Sequence, residues 1–257
     1  MEGGVCISLR DEEKDFGPIE YFTPFVELAS IKNKVRCFQS KSLSEFIYLQ
    51  NRFSKLFFLQ RPDVVKLLKN PKERRLTTNI FSILDSVVFF EQLPSDALMT
   101  SYIKVIGLLG NNERTFRFIR KEYIEPSPNL EKYKVILPKS NGSGALGEAL
   151  STPLIGQPLI GYTQSFIGIG SFDTEQESKA CLKYVKSKFA RAMLGILKVT
   201  QDNSKDTWKY VPWQDFTPSS DIDWGQSIPN IDRQLYEKYG LSSKEIAFIE
   251  SNVKEME

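Results

Sequence analysis

The sequence predicts an α+β fold with mixed sheets, a long late helix and a small helical C-terminal tail. Three observations predict it. Apolar runs with strand-like alternation recur at 102–109, 133–138 and 159–172. One helix-period apolar stripe runs from 174 to about 199. Ser/Thr-x-x-Glu capping boxes stand at Ser42/Glu45, Thr174/Glu177 and Ser242/Glu245. With 257 residues, 41% of them hydrophobic, the chain is long enough to bury a substantial core.

In chain order, residues 3–9 read as a strand, broken by a charged turn over 10–15, with a second extended stretch around 19–26. The Ser42/Glu45 box starts a helix through Phe46, Ile47 and Leu49 to about Arg52. A short helix follows Pro62 and ends near Asn70-Pro71, because proline opens a helix and disfavours helical backbone before itself. Residues 84–90 read as a strand from their β-branched and aromatic content. Strands at 102–109 and around 115–119 flank a Gly110-Asn111-Asn112 turn. Residues 133–138 form a further strand, and 159–172 a long one or a pair. The late helix presents Leu182, Val185, Phe189, Ala192, Met193 and Ile196 on one face. Residues 208–213 read as a last strand. Two short helices close the chain, one near 233–239 stopped by Gly240, the other opened by Ser242/Glu245.

Composition excludes several chemistries. The chain has no histidine, so Ser-His-Asp triads, Cys-His dyads and His-ligated metal sites are impossible. Cys6, Cys37 and Cys181 are widely spaced and form no CxxC pair, which fits a reducing cytoplasmic compartment. No apolar run approaches the ~20 residues of a membrane helix, so no membrane partner is expected. The net charge of +2 hides an asymmetry: −3 over 1–34, +10 over 35–200 and −5 over 201–257. A basic middle between acidic ends points to a polyanion, against the simpler reading of a solvated cationic surface.

Two glycine patterns are refused. Gly142, Gly144 and Gly147 spell G-x-G-x-x-G after a strand, but Pro153 and Pro158 leave no room for the helix that a dinucleotide site requires. Phe166-Ile167-Gly168-Ile169-Gly170 imitates a methyl-donor motif, yet its glycines lie inside a strand pattern. Glu12-Glu13-Lys14, a nuclease-like E-x-K string near Asp11, reads as a solvated turn.

The candidate contacts with a polyanion lie in the middle and the tail. Lys139, Ser140, Asn141 and Ser143 belong to a loop that is cationic at its root, then small and polar, as groups that grip phosphates or base edges are. Arg114, Arg117 and Arg120 interleave with Phe116, Phe118 and Tyr123; alternation puts 114 and 120 on one face and 117 on the other. Lys209 adds a cation among Trp208, Tyr210 and Trp213.

Residues 3–6 (Gly-Gly-Val-Cys), 133–144 (Tyr-Lys-Val-Ile-Leu-Pro-Lys-Ser-Asn-Gly-Ser-Gly) and 172–180 form a first set of anchors, continued by 184–189 and 198–201. The strongest run covers 208–216, Asp223-Trp224, 231–241 and 245–250. Together they resemble the bacterial restriction–modification enzymes that join an N6-adenine DNA methyltransferase to a target-recognition region. The resemblance is weak across roughly 30–130. It implies strands left over from an upstream methyltransferase domain at 1–34, a DNA target-recognition domain at 35–200 and a strand-and-helix tail at 201–257. The family's methyl-donor motif and catalytic tetrapeptide are absent, so the chain looks like a C-terminal region or a separate specificity subunit. Within it no catalytic residue, cofactor or metal ligand is expected; S-adenosylmethionine is implied only for the parent enzyme.

The implied partners are double-stranded DNA and the upstream methyltransferase domain. By side-chain chemistry, Lys139 and Ser143 hold the DNA backbone, Asn141 reads adenine, and Arg114 and Arg120 meet guanine or phosphate. Two alternatives stand beside this reading: a divergent DNA-modifying enzyme, methyltransferase or nuclease, and a protein-interaction domain docking through its acidic tail.

Overall fold

Among the described residues, seven strands divide between two sheets that meet at a seam of buried polar groups, and helices cover the larger sheet. The computed structural model describes residues 12–13, 21–38, 41–95, 98–110 and 113–256. The expected first strand, most of the charged turn and Asn111-Asn112 of the hairpin turn lie outside the described residues. In the order of the chain the helices are α1 (Val26–Phe38), α2 (Lys55–Gln60), α3 (Pro62–Val65), α4 (Ile80–Leu84), α5 (Glu175–Lys186), α6 (Lys188–Leu194), α7 (Ile228–Lys238) and α8 (Ser243–Asn252). The strands are β1 (Ile47–Tyr48), β2 (Tyr102–Leu109), β3 (Glu113–Arg120), β4 (Tyr133–Pro138), β5 (Leu154–Gly156), β6 (Ile160–Tyr162) and β7 (Phe166–Phe172).

The larger sheet has the order β1-β7-β4-β5, antiparallel throughout. The smaller has the order β3-β2-β6, in which β2 and β3 form a hairpin and β6 runs parallel to β2. The α+β class with mixed sheets holds. The largest apolar cluster lies between the four-stranded sheet and α1, α5, α6, α7 and α8. A second, built from residues 53–130, packs α2, α3 and α4 against the β2–β3 hairpin. A third joins the sheets through Ile106, Ile136, Tyr162 and Phe166. No helix among the described residues is long and apolar enough to cross a membrane.

Four expectations are corrected. The Ser42/Glu45 box forms, but it opens a single 3-10 turn, because Ile47 leaves to pair with Ile169 of β7 and is buried there. Residues 84–90 are not a strand; α4 takes Leu84, and the following turn makes one backbone bridge to the small sheet, Phe90 to Phe118. The long late helix is two helices. Ser187 turns extended (ψ 149°) and its hydroxyl accepts from the Ala190 N–H, ending α5 and capping α6. Residues 208–213 are not a strand either. Trp208 ends a 3-10 turn, fully buried, and its indole donates to Asn203 Oδ1 at 2.8 Å.

The sequence reading also passed over α1, whose buried Leu28, Ile31 and Val35 follow helical spacing. Where that reading had an extended stretch at 19–26, the described part from Tyr21 to Phe25 is irregular and α1 begins at Val26. This helix packs on α8: Glu245, the residue completing the α8 capping box, also accepts from Lys34 Nζ and Ser30 Oγ, each at 2.7 Å. A similar device holds α6. Asp232 of α7 is buried and accepts from the Lys188 and Phe189 amides at 3.0 and 2.9 Å, so the tail caps the helix beneath it.

The seam carries buried polar groups beside the third cluster. Tyr162 donates its amide to Asn51 Oδ1 (2.8 Å), and its carbonyl accepts from the Asn51 amide (3.0 Å). Its hydroxyl donates to the Tyr48 carbonyl and accepts from Asn129 Nδ2. Gly168 has to be glycine here, since a Cβ would stand 2.3 Å from that hydroxyl oxygen. Behind Asn129, the buried Lys134 ammonium donates to the carbonyls of Asn129, Leu130 and Lys132. Burial pushes this ammonium down to about 7, well under the ordinary 10.5.

The unfolded chain therefore binds more protons than the folded one between those two values, and stability rises with pH across that window. Urea titrations should show the wild type gaining on the order of 2 kcal/mol from pH 7 to 9. In Lys134→Met that gain should vanish; an unchanged slope would exclude Lys134 as its source.

Candidate functional site

The ends of the two sheets converge on one cleft of about 680 Å³. Its wall takes Leu108 and Arg114 from the tip of the β2–β3 hairpin, and Pro138 and Phe166 from a paired position at the end of β4 and start of β7. Lys139 and Ser140, just past β4, complete that side. The Lys139 backbone is fixed from both directions: its amide donates to the Ser165 carbonyl (2.8 Å) and its carbonyl accepts from Asn203 (2.6 Å). Among the described residues its ammonium has no hydrogen-bond or ion-pair partner. Arg114 is anchored as a fork, Nη1 to the Thr152 carbonyl at 2.7 Å and Nη2 to the Ser151 carbonyl at 3.1 Å. Its guanidinium lies 5.9 Å from the Phe166 ring centroid, and partial burial lowers its pKa from the usual arginine value. Three residues of matching charge and polarity thus share one concavity, although Lys139, the nearest companion of Arg114, lies 25 positions away.

The glycine-rich loop is different. Asn141 is buried; its amide nitrogen donates to the Ala149 carbonyl, and its side-chain oxygen accepts from the Ser151 amide. Both ends of that amide are engaged inside the loop. Ser143 is exposed, but its backbone N–H and hydroxyl turn toward Glu148 Oε2. The Gly144 amide meets Glu148 Oε1 at 2.8 Å, and so does the buried Lys198 ammonium. Gly144 sits at φ +93°, where its missing Cβ also leaves room for the Thr200 backbone. The loop does build an anion-binding nest of amides, and the anion in it is the chain's own carboxylate. Burial opposes ionisation of Glu148, yet the Lys198, Ser143 and Gly144 hydrogen bonds outweigh it and hold the carboxyl at about 2.

The remaining candidates disperse. Arg117 is buried, on the opposite face from its neighbours as alternation predicts, and its Nε donates to Asp85 at 2.9 Å. Its Nη1 donates to Thr115 Oγ1 and the Phe116 carbonyl, so most of its donors are engaged within the chain. Arg120 is exposed and pairs loosely with Glu122 at 3.4 Å. It stands opposite Tyr102, six strand positions from Arg114, or roughly 20 Å along β3. Lys209 is exposed beside Tyr210, its ammonium 5.5 Å from the ring centroid, and is not part of the cleft wall.

Gln164, Ser165, Thr78 and Asp202 also line the cleft and escaped the sequence reading. One signal was present: Gln164-Ser165 interrupts the apolar alternation of 159–172 just where β6 gives way to β7. Neither glycine string fits a cofactor. Gly168 is packed on Tyr162, and the Gly142–Gly147 loop encloses Glu148. No family model matches the chain, and no curated protein matches it.

The loop's stability should follow its internal anion. The Glu148 carboxyl titrates lower in the folded chain than in the unfolded one, so its stabilisation is complete above about 4.5 and lost as pH falls toward 2. Glu148→Ala should cost about 2–4 kcal/mol at pH 7 in chemical denaturation, because it strands the buried Lys198. It should also flatten the acid limb of the stability profile; a profile parallel to wild type would exclude this carboxylate.

Proposed function

We propose that the chain is the DNA-binding specificity module of a restriction–modification adenine-N6 DNA methyltransferase. In this reading a methyltransferase domain beside it supplies S-adenosylmethionine and the methyl transfer, and this chain selects the site. The observation that carries the reading is the cleft. Lys139 presents an unpaired ammonium, and Arg114 a guanidinium held rigid by two carbonyls and a ring. Ser140 adds a hydroxyl at the rim. Fixed cations with adjacent neutral donors are the groups that grip phosphates and place a nucleic acid in one register.

Support comes also from the charge of +10 over residues 35–200 and from the stretches that resemble target-recognition regions. Lys139 neutralises phosphate and releases condensed counterions, which gives affinity that is independent of sequence and dependent on salt. Arg120 and Lys209, exposed elsewhere, contribute to the same electrostatic attraction at longer range.

Gel shifts with duplex DNA at two salt concentrations test this reading. Binding should be tight at low salt and weaken steeply as salt rises. Lys139→Ala should weaken all sequences to a similar extent and reduce the log–log salt slope by about one. Absence of any shift at low salt would sink the DNA reading.

A further inference from the structure

The cleft is concave, and that limits what it can hold. Base edges of stacked B-form DNA are read by helices or ribbons that project into a major groove about 12 Å wide. A recess cannot enter a groove. Its volume, about 680 Å³, falls instead within the ~300–1,000 Å³ range of small-molecule sites. We infer that the cleft receives a single unstacked nucleotide whose base carries an exocyclic amino group: adenine, cytosine or guanine rather than thymine.

The lining supplies a group for each part of such a nucleotide. Lys139 is the cation for the phosphate. Arg114, anchored over Phe166, offers a planar guanidinium on which a base stacks. The Asp202 carboxylate and the Gln164 amide are both on the wall and, among the described residues, have no hydrogen-bond partner for their side chains. A carboxylate accepts from an exocyclic amino group, and an amide both donates and accepts along the same edge. Thymine offers only one N–H, flanked by two carbonyls that a carboxylate repels. Ser165 lines the wall as well, but its hydroxyl oxygen is closed off from the cleft and has no partner among the described residues, so the recognition falls to Asp202 and Gln164.

This inference rests on reading the cleft as the DNA contact, and the test separates the two. The full-length chain is titrated with each of the four deoxynucleoside monophosphates at low salt by NMR, alongside a duplex gel shift. At least one amino-bearing nucleotide should saturate its shifts, and thymidine monophosphate should bind about tenfold more weakly or worse. Lys139→Ala should weaken all four together, while Asp202→Asn should bring thymidine monophosphate to within about threefold of the others. Asp202 is exposed and Lys139 half-exposed, and thermal melts verify that both variants fold. If they do not, the wild-type titration still decides. Saturable binding by none of the four, or equal binding by thymidine monophosphate, overturns the inference. A duplex shift without mononucleotide binding removes the inference and leaves the DNA reading. Mononucleotide binding without a duplex shift does the reverse.

Discussion

The pairing of Asn51 with Tyr162 is the constraint on which the rest of the structure depends. One asparagine engages both backbone groups of a buried residue at the end of β6, through its own backbone on one side and its side chain on the other. The tyrosine hydroxyl then reaches the Tyr48 carbonyl in β1 of the large sheet, so one residue ties both sheets together. Buried polar groups carry a large penalty when unpaired, and that penalty gives the seam a single geometry. The angle between the sheets follows from it, and with it the meeting of the β2–β3 tip with the end of β4. The cleft is a consequence of how the seam is satisfied.

The charge asymmetry takes on a different meaning once its members are placed. Lys134, Arg117, Arg191 and Lys198 all belong to the basic middle, and all are buried. Their donors satisfy carbonyls and carboxylates of the chain itself: Arg191, for example, gathers the Lys186, Gly147 and Lys254 carbonyls. The surface is therefore less positive in that region than a residue count suggests. The acidic tail is likewise partly internal. Asp232 caps α6, and burial raises its carboxyl to about 6 although two backbone amides oppose that rise. Glu245 closes the α8 capping box; burial works against its ionisation, and Lys34, the Ser242 amide and Ser30 prevail, holding it at about 2. Acidic residues in the tail thus hold α6 of the basic middle and α1 of the first stretch in place.

What was legible in the sequence was what depends on near neighbours. The Thr174/Glu177 and Ser242/Glu245 boxes both open helices, and β2, β3 and β4 stand where alternation put them. Errors arose where distant packing outweighs a local preference. Ile47 follows the edge of β7 instead of its helix signal, and Trp208 fills the core instead of extending a sheet. The same division runs through the site. Lys139 and Arg114 stand out in the sequence as cations of a basic region, and the fold brings both to one cleft wall. The fate of Asn141 was not legible, since its partners Ala149, Ser151 and Lys198 lie 8, 10 and 57 positions away and arrive only when the loop closes. Gln164 and Asp202 carry no pattern of their own; a fold had to bring them to one wall.

The clasp between α1 and α8 bears on the order in which the molecule can be assembled. Residues 53–130 contain every buried member of the second cluster, so that unit is complete in sequence and can condense while synthesis continues. The first cluster spans Leu28 to Val253, and Lys34 and Ser30 find their carboxylate only at Glu245. On the ribosome, α1 therefore emerges early and must wait for more than 200 further residues before its partner exists. Throughout that interval its apolar stripe of Leu28, Ile31 and Val35 is without its final cover, so the first cluster closes only after the last helix has been made.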